Sequence, residues 1–277
     1  MSDEDGRAFV PGHVTGFFSS HEADDPERAG SRGAGLTLTD GVTVTVEPAA
    51  ETSIELNGEH ASVEAGRRVL DELDVTGRVT AETDLPVGAG FGVSGAMALG
   101  TALAANDAFD CGRSENELVT VAHVAEVAAG TGLGDVVAQS RGGVPIRLEP
   151  GAPEYNRLDG VPARTRVEYC SLGELSTAEV LAGNTDRLSR AGVDALVDLV
   201  NEPTLDTFVR RSREFAADAD LLTDDVREVV EDVEAEGGQA SMAMLGETVF
   251  ALGTGLTDAG YDAEACETDP AGAMLMK

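Results

Sequence analysis

Apolar and polar residues alternate in several short segments of the first half of the chain, a pattern typical of strands. Residues 36–38 and 42–46 alternate on either side of Asp40-Gly41. An Asp-Gly pair between two alternating segments predicts a two-stranded hairpin. Residues 75–85 alternate as well. We therefore expect a sheet in this half of the chain, with a hairpin near its start.

The best-defined helix of the sequence is predicted to begin at Ser114. Ser114 and Glu117 stand three residues apart, just before an apolar run, which is the pattern of a capping box. Leu118 and Val121 begin an apolar series with helical spacing that continues to residue 129. The pattern predicts a capped amphipathic helix over residues 114–129.

Helical patterns dominate the second half of the chain. Three helices are predicted at about 177–200, 203–219 and 222–236, followed by an apolar strand at 248–252.

Between the halves, residues 149–161 are rich in Pro and Gly, a composition that marks a domain boundary. We predict two domains, residues 1–150 and 151–277.

The composition indicates a globular protein with an unusually acidic surface. Of 277 residues, 42% are hydrophobic and 25% charged, and the formal net charge is −32. Such a charge repels nucleic acids and anionic membranes, so neither is expected as a partner. The acids are spread along the whole chain, whereas an acidic interaction protein would concentrate them in blocks. We therefore expect a halophilic source with a very salty cytosol.

A cytoplasmic location is expected from the same sequence. It contains no apolar run of membrane length, and its first residues are acidic, unlike a signal peptide. The three cysteines, Cys111, Cys170 and Cys266, are far apart and have no metal-binding spacing. Reduced thiols in a cytoplasm are the simplest interpretation.

A glycine-rich loop at residues 86–96 carries the strongest chemical signal. It follows the alternating segment and opens a run of small, helix-compatible residues. Glycines let the backbone approach a ligand closely, and a helix start presents free N–H groups. The loop is therefore a candidate phosphate site.

Familiar phosphate motifs fit this loop poorly. A P-loop and the protein-kinase motifs each need a lysine, and the only lysine is Lys277. Gly90, Gly92 and Gly95 do spell the dinucleotide fingerprint. That motif requires a second strand ending in an acid about 20 residues later, but the acids there open the helix at Ser114. A dinucleotide site and a glycine-rich turn without ligand stay open as weaker alternatives.

Two further glycine-rich turns are predicted at 30–35 and 130–135. Two acidic residues, Glu126 and Asp135, lie near the second of them. Asp135 alone could be a helix N-cap, and Glu126 alone could be a solvated helix position. Beside a phosphate loop, they suggest a base and a metal ligand, which phosphoryl transfer needs.

The loop resembles the central motif of the GHMP kinases, the superfamily of galactokinase and of homoserine, mevalonate and phosphomevalonate kinases. That motif runs Pro-x-x-x-Gly-Leu-Gly-Ser-Ser-Ala. The matching positions are Pro86, Gly90, Phe91, Gly92, Ser94 and Gly95. Val93 replaces the first serine, and Gly95 replaces the usual alanine. Residues 125–135 and 237–252 resemble the other two motifs of the family.

Segments 9–18, 30–35, 90–95 and 243–246 are similar to the archaeal branch that acts on pantoate. The resemblance implies ATP-dependent phosphorylation of the pantoate 4-hydroxyl, giving 4-phosphopantoate for coenzyme A biosynthesis. It also implies an α+β, two-domain GHMP-kinase fold. The N-terminal, ATP-binding α/β domain would be ribosomal-protein-like, and the C-terminal α+β domain ferredoxin-like.

The resemblance also assigns roles to individual residues. Ser94 and Glu126 would hold Mg²⁺, and Asp135 would accept or orient the proton of the substrate hydroxyl. The ATP phosphates would lie on a single stretch, Pro86, Gly88, Ala89, Gly90, Phe91, Gly92, Val93, Ser94, Gly95 and Ala96.

Four further residues are candidates for substrate contact. Pantoate carries a carboxylate, which suits a bidentate arginine, and Arg32 and Arg141 lie in glycine-rich turns. His13 and Thr15 lie in a segment specific to the branch, although His13 could equally pack a turn.

Three alternatives to pantoate phosphorylation stay open. They are another GHMP kinase acting on homoserine, mevalonate or shikimate, an NAD-dependent oxidoreductase, and a non-catalytic ATP-binding protein. A homodimer is compatible with the family, and no residue of the sequence tests it.

Overall fold

The structure, a computed structural model, describes residues 5–173, 185–244 and 246–277. Two sheets and the helices packed on them make up this part of the chain. The strands of the first sheet are β1 Gly6–His21, β2 Gly30–Pro48, β3 Ser53–Leu56, β4 Glu59–His60, β5 Gly77–Glu82, β6 Val144–Glu149, β7 Arg157–Val161 and β12 Met274–Leu275. The strands of the second sheet are β8 Arg166–Gly173, β9 Ala240–Ala243, β10 Glu247–Leu252 and β11 Glu264–Glu267. The helices are α1 Glu64–Glu72, α2 Val93–Ala108, α3 Glu115–Ala129, α4 Asp135–Gln139, α5 Thr185–Asn201, α6 Leu205–Asp218, α7 Asp224–Ala235 and α8 Gly255–Asp258.

Strand β2 organises the first sheet, whose order is β12-β1-β2-β5-β3-β4. It pairs with β1 along most of its length and with β5 over residues 43–48. At its other end, β2 pairs with β6, and β7 continues from β6. Only β3 and β5 pair in parallel among these ladders. The second sheet is antiparallel, in the order β11-β8-β10-β9.

The predicted hairpin at Asp40-Gly41 is wrong. Both alternating segments lie in β2, and both pair with β1, whose partner changes from Gly41 opposite Pro11 to Leu38 opposite Gly12. The dipeptide therefore lies at a bulge between β1 and β2. Strand β1 has 16 residues, which is long enough to pair with both segments.

The glycine-rich segment 30–35 is also strand, not turn. Gly33 has a φ of +146°, and a Cβ there would lie 2.2 Å from the Phe17 carbonyl oxygen. Glycine is needed at this position because β1 and β2 approach too closely for a side chain.

The cores of the two sheets are continuous. Phe17 of β1 packs against Phe208 and Phe215 of α6, and Phe208 stacks on Phe250 of β10. All four rings are essentially buried. Strands β7 and β12 follow the predicted boundary in sequence but belong to the first sheet. The division into residues 1–150 and 151–277 stays a prediction, and the first sheet draws strands from both sides of it.

The helices predicted at 114–129, 203–219 and 222–236 agree with the structure. Ser114 caps α3 through a full capping box, in which its hydroxyl accepts from the Glu117 N–H and the Glu117 carboxylate accepts from the Ser114 N–H at 2.9 Å. Helices α6 and α7 lie within about two residues of their predicted limits. The start of the helix predicted at 177–200 lies outside the described residues, which resume at α5. In the described ranges we find no helix with the length and apolarity needed to cross a membrane.

A strap near the C-terminus, residues 268–276, runs back along the first sheet. The Asp269 N–H donates to the Thr37 carbonyl, and the Asp269 carbonyl accepts from the Gly143 N–H. Further along, the Ala273 N–H donates to the Gln139 carbonyl at 2.9 Å, before β12 pairs with β1. The strap therefore fixes the C-terminal end of α4.

Replacing Ser114 with Ala should destabilise the protein through α3. Loss of the N-cap is expected to lower the free energy of unfolding by about 1 kcal/mol. Urea unfolding at constant high salt measures this change. Thr120→Ala is the matched control, because the Thr120 hydroxyl lies on the same helix and, among the described residues, bonds only to the Asn116 carbonyl. Equal stability of the two variants would contradict a capping role for Ser114.

Candidate active site

The loop at 86–96 connects the β5 region to α2 and ends in an open helix start. Gly88, Gly90 and Gly92 all have left-handed backbones, with φ of 81°, 91° and 63°. Gly92 is the N-cap of α2, and it has no side chain to bond the N–H groups of the first turn. These N–H groups and the positive end of the helix dipole are therefore available to an anion.

Both sheets hold this loop in place. The Thr248 hydroxyl of β10 donates to the Ala89 carbonyl at 2.9 Å, and a Cβ on Gly246 would lie 2.1 Å from the same oxygen. On the other side, the backbone N–H of His13 donates to the Phe91 carbonyl at 2.9 Å. The Phe91 ring also packs edge-on against Tyr169 of β8, with 4.8 Å between centroids. The loop is thus a fixed backbone surface between the two sheets.

The first carboxyl group beside the loop is that of Glu126, on α3. The Ser94 hydroxyl donates to Glu126 Oε1 at 2.6 Å, and the Thr131 hydroxyl donates to the same oxygen at 2.9 Å. Glu126 is only 2% exposed. Burial raises the pKa of Glu126 to about 7, although both hydroxyl donors act in the opposite direction.

The second carboxyl group is that of Asp135, the first residue of α4. Its Oδ1 lies 2.7 Å from His13 Nδ1, and its side chain keeps 22% of its surface exposed. Burial raises the pKa of Asp135, but the hydrogen bond from His13 and the charge of Arg147 outweigh burial and hold it below its usual value. Asp135 is therefore an ionised carboxylate that still reaches the surface of the site.

The side chains of His13 and Arg147 are buried beside Asp135. Burial lowers the pKa of His13 despite the nearby carboxylate, so the ring is neutral and donates through Nδ1. Burial also lowers the pKa of Arg147 to about 10, which leaves its guanidinium charged at neutral pH. In the described residues, neither Arg147 Nε nor Nη1 has a hydrogen-bond partner. Arg147 therefore retains unused donors close to Asp135.

Glycines bring these groups together. A Cβ on Gly132 would lie 2.4 Å from Glu126 Oε2 and 3.5 Å from Asp135 Oδ2, so both carboxyl groups face the same bare backbone. A Cβ on Gly134 would lie 2.8 Å from Arg147 Nε, and one on Gly92 would lie 3.2 Å from Asp135 Oδ1. The loop, both acids and Arg147 therefore form one site.

Comparison with known proteins identifies the lineage of this site. Residues 61–143 match the family model described as "GHMP kinases N terminal domain". The pantoate kinase of Methanocaldococcus jannaschii is 32% identical over 251 residues, which are 88% of this chain and 91% of that protein. The pantoate kinase of Thermococcus kodakarensis is 36% identical over 262 residues, covering 89% and 87%.

The chain belongs to the pantoate kinase family. A solved structure described as "Phosphotransferase related to CoA biosynthesis pathway" agrees with this assignment. It superposes with a TM-score of 0.88 at 30% identity and covers 99% of both chains. The resemblance to GHMP kinases and to their pantoate branch is confirmed, and the fold is the mixed α/β fold of GHMP kinases.

The predicted substrate residues of this pantoate kinase family member fall into two groups. His13 lies in the site, as described, and Thr15 is half-buried nearby on β1, where its carbonyl accepts from the Met244 N–H at 2.9 Å. Arg32 and Arg141 lie elsewhere. Because Gly33 pairs with Arg147, the neighbouring Arg32 faces the other side of the sheet.

Arg32 and Arg141 have different surroundings from the site. The charge of Arg32, together with burial, lowers the pKa of His21. Arg141 is exposed after α4, and its guanidinium lies near Gly160 of β7. Within the described residues, neither arginine has an ion pair with Glu126 or Asp135.

Sequence reasoning missed Arg147, Gln139 and Thr131. A single arginine inside the apolar segment 144–148 was the available signal for Arg147, since a charged residue in a buried strand needs a reason. Gln139 carried no comparable signal. Thr131 follows Glu126 by five residues, and only the end of α3 brings its hydroxyl back to the carboxylate.

Without bound metal, the stability of Glu126→Gln relative to wild type should increase as pH rises. The pKa of Glu126 moves from 4.5 to about 7 on folding, so between these values the folded protein binds more protons than the unfolded chain. Stability from this group is present at low pH and is lost as pH rises through that window. The variant lacks this loss, so its Tm minus that of wild type should increase with pH.

Thermal unfolding in a chelating buffer at fixed salt measures this difference. Glu115→Gln removes an exposed carboxyl from the same helix and is the matched control. A pH-independent difference for Glu126→Gln would contradict the raised pKa.

Proposed function

We propose that this protein transfers the γ-phosphoryl group of ATP to the 4-hydroxyl of pantoate, giving 4-phosphopantoate for coenzyme A biosynthesis. The observation that carries the proposal is the open N-terminus of α2, placed beside Ser94, Glu126 and an ionised Asp135. Membership of the pantoate kinase family supports the choice of substrate. ATP is the phosphate donor of GHMP kinases, and the loop geometry suits its phosphates.

The phosphate loop would bind the nucleotide through backbone N–H groups. The donors lie between Gly88 and Ala96, with the helix dipole of α2 behind them. No lysine is available to the site, because the only one is Lys277. Backbone donors, the helix dipole and bound Mg²⁺ would therefore have to balance the phosphate charge.

The donor set beside the loop fits Mg²⁺. Ser94 and Glu126 present hydroxyl and carboxylate oxygens, the ligands that a hard cation prefers, and burial without a cation raises the pKa of Glu126. Over residues 5–173, 185–244 and 246–277, no group of three or more His, Cys, Asp or Glu could hold a metal. Bound Mg²⁺ would neutralise phosphate charge, and this chain would contribute only Ser94 and Glu126.

Asp135 would orient the substrate hydroxyl and accept its proton. Its carboxylate stays ionised because of His13 and Arg147, and His13 occupies one of its oxygens. Phosphoryl transfer needs chiefly positioning and charge stabilisation, so a weakly basic carboxylate held in one orientation is adequate. His13 is then a positioning residue for Asp135.

Arg147 is the arginine we propose for the pantoate carboxylate, in preference to Arg32 and Arg141. Its Nε and Nη1 are buried without a partner in the described structure, and its charge acts on Asp135. Carboxylates bind arginine in a bidentate manner. Arg147 Nε and the Ser31 hydroxyl both lie close to Gly134, so Ser31 adds a polar group at this end of the site.

The finer fold description and the setting of the enzyme are also proposals. The first sheet with α1–α4 would correspond to the ribosomal-protein-like domain, and the second sheet with α6–α8 to the ferredoxin-like one. We further propose a cytoplasmic enzyme of a halophile with a small-molecule substrate, compatible with a homodimer. The net charge of −32 argues against nucleic acid or anionic membranes as partners.

A coupled assay of ADP release in high salt tests the function directly. Pantoate should give the highest kcat/KM in a panel with homoserine, mevalonate and shikimate. Asp135→Asn should lower kcat by about 10²-fold or more, because it removes the proton acceptor, while ATP affinity stays similar. Near-normal turnover of the variant would remove Asp135 from this role. NAD binding without ADP release would overturn the proposal itself.

Arg147→Lys should raise the KM for pantoate by about tenfold or more, with a smaller effect on the KM for ATP. Lysine keeps the charge but loses the bidentate geometry. Steady-state kinetics at saturating ATP measures the change. Arg141→Lys, on the exposed loop after α4, is the matched control and should leave the KM for pantoate unchanged. Equal values for both variants would place the carboxylate elsewhere.

A further inference from the structure

Gln139 lies buried between the phosphate loop and the helix of Asp135. It is the last residue of α4, one turn after Asp135, and it is 0% exposed. Residues four apart share a helix face, so Gln139 and Asp135 project toward the same neighbour. That neighbour is the first turn of α2.

The Gln139 amide bonds directly to the loop backbone. Its Nε2 donates to the Gly92 carbonyl at 2.9 Å. The same carbonyl accepts the first bond of α2, from the Ala96 N–H at 3.0 Å. Gln139 therefore holds the peptide at which the phosphate loop becomes a helix.

Gly95 makes room for this contact. A Cβ at position 95 would lie 3.0 Å from Asp135 Cβ and 3.1 Å from Gln139 Oε1. The motif of the wider superfamily has alanine here, so the departure at Gly95 coincides with the position where α4 lies closest. The glycine and the glutamine are complementary parts of one contact.

The strap holds Gln139 from the opposite side. The Gln139 carbonyl accepts from the Ala273 N–H, and a Cβ on Gly272 would lie 3.0 Å from that carbonyl oxygen. The side chain of Gln139 thus contacts the loop while its backbone is fixed by residues far away in sequence.

Packing alone does not account for a glutamine here. In the described structure, Gln139 Oε1 is buried and has no hydrogen-bond partner. A buried amide with one unpaired polar atom contributes less to stability than an apolar side chain of similar size. The bond to Gly92 is what the amide adds to this position.

We infer that Gln139 is a positioning residue, which fixes the phosphate loop relative to Asp135 and so sets the separation between the transferred phosphate and the substrate hydroxyl. This inference rests on the proposed kinase function. In that function, one partner of the reaction is bound by the loop and the other is oriented by Asp135. A displacement of about 1 Å between reacting groups can lower a rate by about 10²-fold, so a single bridging bond has a large effect on turnover.

Gln139→Met tests the bridge with little change in shape. It should lower kcat for pantoate phosphorylation by about tenfold or more. The Kd for an ATP analogue should change by less than about threefold, since the N–H groups of the loop are intact. Ser140→Ala is the matched control, because in the part of the chain that the structure describes its hydroxyl bonds only to the Val137 carbonyl of α4. A purely structural role would lower Tm and leave kcat of the folded enzyme unchanged.

Gln139→Glu supplies a second measurement, with a pH dependence that packing cannot produce. A neutral carboxylic acid can donate to the Gly92 carbonyl, whereas a carboxylate cannot. Burial and the negative Asp135 on the same face raise the pKa of such a carboxyl group. Activity relative to wild type should therefore increase several-fold as pH falls from about 8 to about 6.

Normalising to wild type removes the titration of Glu126, which both enzymes share. The relative activity of Gln139→Met should stay flat over the same pH range. Unchanged kcat in Gln139→Met, or a flat ratio for Gln139→Glu, would overturn the inference while wild type remains an active pantoate kinase. Absence of ADP release by wild type with pantoate would instead overturn the proposed function.

Discussion

The close approach of α4 to the first turn of α2 is the contact on which the rest of the site depends. It occurs through Gly92 and Gly95, where bare backbone meets Asp135 and Gln139. Because no Cβ separates the two helices, the free N–H groups at the start of α2 and the Asp135 carboxylate lie within one short span. Together the two glycines determine how closely the start of α2 approaches the Asp135 carboxylate.

Two carboxyl groups in the same site have opposite electrostatic surroundings. Glu126 is buried and accepts hydrogen bonds from two hydroxyl groups. Among the described residues no cation acts on it, and burial raises its pKa. Asp135 has His13 and Arg147 beside it, and its pKa falls. One group can therefore gain a cation while the other remains ionised without one. In a chain with a net charge of −32, burying Arg147 also keeps that cation away from competing surface acids.

Local signals in the sequence predicted the parts of the site that lie close together along the chain. The capping box at Ser114, the loop and the spacing of Glu126 and Asp135 all fall within about fifty residues, and local patterns predict such features well. Arg147 reaches the site only because β6 pairs with Gly33, more than a hundred residues earlier. The predicted hairpin at Asp40-Gly41 was wrong because both segments pair with β1, which the local pattern does not show. Arg32 faces away from the site because side chains alternate along β2.

The strap has a consequence for how the site is completed during synthesis. Helix α4 has five residues, too few to be stable alone, and its C-terminal end is fixed by Ala273 and Gly272. These residues leave the ribosome long after the loop, Glu126 and Asp135. Thr248, which supports the loop, also precedes the strap in the chain. The loop can therefore gain its contact with the second sheet first, while Asp135 takes its final position only when the strap arrives. Binding competence would precede catalytic competence in the life of each molecule.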